Sequence, residues 1–172
     1  TIAHELGHSM HTYFSAKNQP YAKSDYKIFV AEVASTVNEV LLLKYMLKTA
    51  EDNTFKKYLL NYYLDTIRAT LHRQTMFAEF EYAAHAKVEQ GEPLTRENLC
   101  ELYASLGKKY YGGDIEHDFE ISCEWCRIPH FYTSFYVYKY ATGIITAINI
   151  VNRILTQGES AVKDYFKFLS GG

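Results

Sequence analysis

The sequence predicts a mostly α fold, a bundle-like array of helices with little or no strand. Three observations carry that expectation. No period-two alternation of apolar and polar residues persists over any length of the chain. The stretch from Phe55 to about Gln90 contains neither Pro nor Gly. Good helix-starting residues, Asp52 or Asn53 and later Thr95, stand just ahead of long apolar-rich segments. At 172 residues the chain is long enough to bury a substantial core and reads as one helical domain, residues 1–172.

Each element has its own reason. Over residues 2–14, Ile2, Leu6, Met10 and Tyr13 share one helical face, and His4, His8 and His11 share another. AKNQPYAKSDY (16–26) is a loop by its Asn, Pro and Ser-Asp content. Ile28 to about Leu47 reads as a long helix, broken by TAEDNT (49–54). The long Phe55–Gln90 helix ends at QGEP, and Pro-Leu-Thr-x-Glu-Asn opens a shorter helix running to Gly107. The segment from 108 to 132 is irregular, punctuated by Gly112-Gly113 and Pro129, and two last helices cover roughly 134–155 and 160–169. The first residue falls inside a helix turn and FLSGG stops at a turn, so the chain is expected to be a piece of a longer protein that lacks an N-terminal region.

Composition excludes several classes. The formal net charge is −2 with no long run of one sign, so the basic stripe required by nucleic acid or an anionic membrane surface is missing. The longest apolar stretch, Gly143–Val151, is far short of a membrane span. Cys100, Cys123 and Cys126 cannot all pair within one chain, and no signal peptide is present, which makes a reduced cytoplasmic setting the expectation. Sixteen tyrosines against ten Phe suit a core that borders a wet, polar cleft.

The chemistry lies in HELGH, His4 to His8. Positions i and i+4 share a helix face, so both imidazoles can aim at one point, while Glu5 is rotated about 100° away, close enough to serve as a general base. From this chain's own content the motif would arise by chance in roughly two of a hundred such sequences, so a third ligand is the decisive test. A metzincin spacing would place Gly and His where His11 and Phe14 stand, and a thermolysin-type Glu would fall on Ile28. Neither fits. The nearest good carboxylate is Glu32, on a helix otherwise lined with Val, Ala and Leu, where a lone charge is costly unless paired or metal-bound. Glu39, further along that face, could hydrogen-bond a ligand histidine. Gly7 would let a neighbouring helix or a substrate come close, at a helix cost of about 1 kcal/mol against Ala. His11 reads as a structural neighbour, and His72, His85 and His117 as packing or surface residues. Cys123 and Cys126 form a lone CxxC with no second pair, and so read as structural or incidental.

HELGHSMHTYFS, a Pro-Tyr loop, IFVAEVASTVNE and RIPHFYTSFYVYKYATG together resemble the oligoendopeptidase F family, which belongs with thimet oligopeptidase among zinc metallopeptidases. The resemblance covers nearly the whole chain. It implies one Zn2+ per chain held by His4, His8 and Glu32, with Glu5 as general base. It further implies that His130 and Tyr138 donate hydrogen bonds to the oxyanion, and that Tyr132 and Tyr136 line the substrate. Tyr132, Tyr136, Tyr138 and Tyr140 all remain open for the oxyanion part. The function so implied is hydrolysis of internal bonds of oligopeptides. Two alternatives stand beside it: zinc hydrolysis of a non-peptide amide, and a non-catalytic helical binding or scaffold module that retains the zinc site.

Overall fold

The computed structural model describes residues 2–113 and 118–171, so the expectation for His117 lies outside the described residues. Among these residues the secondary structure is helical throughout, with no strand, as the sequence predicts. The chain divides into two compact units, residues 1–68 with 142–172, and residues 69–141.

The first unit is built from α1 (Ile2–Asn18), α2 (Ile28–Thr49), α3 (Asn53–Ile67), most of α7 (Tyr138–Gln157) and α8 (Glu159–Leu169). Between α1 and α2 the expected loop keeps one 3-10 turn, Tyr21–Lys23. Asp52 starts α3: its carboxylate accepts from the amides of Thr54 and Phe55, two of the N-H groups that a helix start leaves unpaired. Val33, Val37 and Val40 of α2 bury against Ala147 and Val151 of α7, with Tyr165 and Phe168 of α8 closing the cluster.

Helices α1 and α2 come very close at Gly7. A Cβ placed on Gly7 would lie 2.5 Å from Ser35 Cα and 2.6 Å from the Ala34 carbonyl oxygen. Gly7 is therefore present because two main chains meet there, and of the two readings of that glycine the neighbouring helix is the one realised.

The second unit holds α4 (Arg73–Glu89), α5 (Arg96–Tyr111) and the short α6 (Phe119–Ser122). The long helix expected from Phe55 to Gln90 is interrupted by a π-helical stretch at Arg68–His72. That interruption left no Pro or Gly signal in the sequence; its residues are ordinary helix formers. Thr95 caps α5 through the Asn98 amide. The helix continues past Gly107 to Tyr111 and stops at Gly112, whose φ of 85° is the left-handed conformation that glycine adopts freely. The core here is Met76, Phe77 and Phe80 of α4 with Tyr103 and Leu106 of α5, joined by Ile128 and Val137. The segment read as irregular contains α6 and two 3-10 turns, Glu124–Arg127 and Pro129–Tyr132.

Candidate active site

The sequence-predicted residues fall into two groups, one in each unit. In the first, α1 presents His4 and His8 one turn apart, and α2 brings Glu32 against both. Nε2 of His4 lies 3.2 Å from Nε2 of His8. Glu32 Oε2 is 3.5 Å from the first and 3.7 Å from the second. Donors around a tetrahedral zinc with bonds of about 2.0–2.1 Å are separated by roughly 3.3 Å, so the three atoms already sit near ligand spacing. Two ring nitrogens at this distance share either a proton or a cation, and the Glu32 carboxylate completes a triangle of the kind that could hold a metal ion. These are the only His, Cys, Asp or Glu residues among those described that group closely enough to hold a metal ion.

Neighbouring side chains contact both the carboxylate and the histidine. Ser35 Oγ donates to Glu32 Oε2 at 3.0 Å and to the Glu32 carbonyl at 3.0 Å, which orients the carboxylate on its own helix. Glu39 Oε1 stands 3.5 Å from Nδ1 of His4, on the ring nitrogen that does not face His8. Asn38 donates to the Ala3 carbonyl, a further tie between α2 and α1. Glu5 is exposed.

His11 shares the helix but not the cluster. Its ring is 1% exposed and stacks on Tyr26 at 3.7 Å and 5°, and its Nδ1 is buried without a partner. Burial, and secondarily the neighbouring His8, push its pKa down to about 4. It is a packed, neutral histidine.

In the second unit, His130 lies in the Pro129–Tyr132 turn. Its ring stacks on Tyr136 at 5.5 Å and 26°, and its Nε2 is 3.4 Å from the Tyr140 hydroxyl. Tyr136 and Tyr140 meet edge to face at 5.6 Å. Tyr136 and Tyr140 both touch His130. Tyr138 is the first residue of α7 and is 39% exposed, and Tyr132 is 88% exposed. The segment ahead of His130 is anchored by Glu124, which accepts from Tyr103 at 2.7 Å and from Arg73 at 2.5 Å, and also from Arg127. Burial opposes ionisation of Glu124, but the Tyr103 hydrogen bond and the arginines prevail and hold its carboxyl below the ordinary range.

Other predicted neighbours have settled roles. His72 bonds the Tyr110 carbonyl, and His85 packs on Phe135. Cys123 faces Cys100 at 3.4 Å (Sγ to Sγ) and Cys126 is exposed, all three as free thiols. Sequence reasoning missed Glu81. It is 4% exposed and accepts the Phe135 amide at 2.5 Å, yet nothing in EFEYAAH distinguishes it from Glu79 two residues earlier.

A helical fold with a His–His–Glu cluster of this geometry indicates a metallopeptidase-like protein, and the comparisons narrow it. The chain belongs to peptidase family M3, whose family model it matches over residues 1–172. Over its full length it is 51% identical to oligopeptidase PepF of Bacillus subtilis (strain 168), of which it covers 26%. It is 48% identical to an oligoendopeptidase F homolog of Borreliella burgdorferi, covering 29% of that protein. The crystal structure of oligoendopeptidase-F from Enterococcus faecium matches 99% of the chain with a TM-score of 0.86 at 44% identity, and 31% of that longer chain is covered. The chain therefore spans less than a third of the length of these relatives.

Proposed function

We propose that this chain carries the zinc site of a metalloendopeptidase that hydrolyses internal bonds of oligopeptides. The observation that carries the reading is the convergence of His4 Nε2, His8 Nε2 and Glu32 Oε2 from two helices locked together at Gly7. Names of the similar proteins, oligopeptidase and oligoendopeptidase F, support the substrate class.

His4, His8 and Glu32 hold one Zn2+ per chain. When bound, the ion supplies a Lewis acid that polarises the scissile carbonyl and makes water a competent nucleophile near neutral pH. Glu5, one position along the helix from His4 and open to solvent, takes the proton of the attacking water and delivers it to the leaving amine. His130 and Tyr138 donate hydrogen bonds to the developing oxyanion. Tyr132 and Tyr136 line the peptide. Glu39 orients His4 through Nδ1. We place the protein in the cytoplasm, where its three thiols stay reduced. Among the described residues no helix is long and apolar enough to cross a membrane.

The test is elemental analysis and peptide hydrolysis on the same preparations. The parent should bind about one zinc per chain, with Glu32→Gln and His8→Ala losing it. Glu5→Gln should keep the zinc and lose hydrolysis of a short internally quenched peptide. Equal zinc in Glu32→Gln would remove the third ligand from the proposal, and full activity in Glu5→Gln would remove the base.

A further inference from the structure

We infer that Glu81 is a positioning residue for the His130 cluster: its carboxylate holds Phe135 in a left-handed conformation that sets Tyr136 against His130. The geometric part stands by itself, and the consequence for rate rests on the peptidase reading above.

Two carboxylates on α4 show the contrast. Glu79 reaches outward to Lys109 at 2.5 Å and Tyr110 at 2.7 Å, an ordinary partly exposed pairing. Glu81, two residues on, is buried instead. Its partner there is the main-chain N-H of Phe135 at 2.5 Å. Removing a carboxylate from water for a single amide is expensive, so the placement is informative.

Phe135 carries a second anomaly. Its φ of 55° is the one positive value at a non-glycine among the described residues. An aromatic residue there crowds its Cβ against the backbone, and such a conformation persists only where its surroundings over-determine it. Here α4 grips the residue twice. Glu81 takes the amide, and His85, one turn later, packs its ring 4.7 Å from the Phe135 ring. On the other side of Tyr136, Val137 is fully buried in the core. Tyr136 is thus held between a clamped residue and an anchored one, with its ring on His130 and its edge toward Tyr140. Relaxing Phe135 to negative φ would redirect the main chain immediately before Tyr136.

The experiment uses the zinc-loaded full-length protein and three readouts: peptide hydrolysis, zinc content, and the His130 imidazole cross-peaks in NMR, assigned by their absence in His130→Gln. Glu81→Ala should shift those cross-peaks and lower kcat roughly tenfold or more, with KM nearly unchanged and zinc retained. Glu81→Gln, whose amide oxygen still accepts the Phe135 N-H, should keep the cross-peaks in place and recover most of the rate. Adding Phe135→Gly to Glu81→Ala should restore part of both, because glycine reaches φ 55° without a clamp. If Glu81→Ala does not fold, Glu81→Asp, which retracts the carboxylate by one methylene, carries the test. A folded Glu81→Ala or Glu81→Asp with the parent's cross-peaks and kcat overturns the inference. Shifted cross-peaks together with a His130→Gln variant of parental activity would uphold the positioning and sink the catalytic reading of His130.

Discussion

Glu39 Oε1 lies 3.5 Å from Nδ1 of His4, while Nε2 of the same ring faces His8 and Glu32. On the zinc reading proposed above, a carboxylate beside Nδ1 orients the His4 ring so that Nε2 faces the metal. Glu39→Gln should therefore weaken zinc binding by about 10–100-fold without removing a ligand. Competition against a chromophoric chelator would measure this. An affinity equal to the parent's would mean that the contact does not orient His4.

Glycine gives two opposite predictions on two helices of the first unit. Gly7→Ala gains about 1 kcal/mol of helix propensity but drives a methyl into the main chain of Ser35, a clash that side-chain movement cannot relieve. We expect a net loss of about 2 kcal/mol and, with it, weakened zinc binding. At Gly143 of α7 an added Cβ would meet only Glu32 Cβ at 3.7 Å, an ordinary contact. Gly143→Ala should be neutral or stabilise by up to about 1 kcal/mol. Chemical denaturation of both variants decides, and a Gly7→Ala as stable as the parent would disprove the close approach.

His11 should make the fold acid-sensitive. Its folded pKa is depressed to about 4 from an ordinary 6.5, so above pH 6.5 both states are neutral and the residue contributes no pH dependence. As pH falls below 6.5 the unfolded chain takes up a proton that the folded chain refuses. Stability is lost progressively until about pH 4, where the folded state also protonates, for a total of about 3 kcal/mol. His11→Phe keeps the stack on Tyr26 and should flatten the slope between pH 6.5 and 4. Denaturation in the presence of a chelator isolates this from titration of the metal ligands, and an unchanged slope would place the acid sensitivity elsewhere.

The tyrosines near His130 divide by role. Tyr138→Phe should lower kcat by roughly 100-fold if its hydroxyl meets the oxyanion, with zinc content and KM little changed. Tyr140→Phe removes the hydroxyl 3.4 Å from His130 Nε2 and should cost less, roughly tenfold in kcat. The reverse ranking in steady-state kinetics would hand the oxyanion part to Tyr140.

Local rules made the helices legible. Asp52 and Thr95 cap where their side-chain chemistry requires, and the His4–His8 pair follows from helical periodicity alone. Glu32 was readable because a carboxylate on an apolar face begs for a partner. What escaped was set by tertiary contact. The π-helical stretch at Arg68–His72 has no local signature. Glu81 looks like Glu79 until the fold buries one of them. Sequence spacing ranks equivalent residues poorly when the discriminating partner is far along the chain.

The contact at Gly7 acts on the metal cluster as a fixed ruler. His8 follows Gly7 directly, and Ser35, which the glycine touches, holds the Glu32 carboxylate. Because main chain rests on main chain there, the gap between the histidine pair and the carboxylate does not depend on how well the apolar side chains around them fit. Substitutions at Val37, Val40, Ala147 and Val151 are then expected to move the melting temperature more than the spacing of His4, His8 and Glu32. On the zinc reading proposed above, stability and metal geometry become separately adjustable, and an engineer seeking a hardier or a softer version need not retune metal affinity each time.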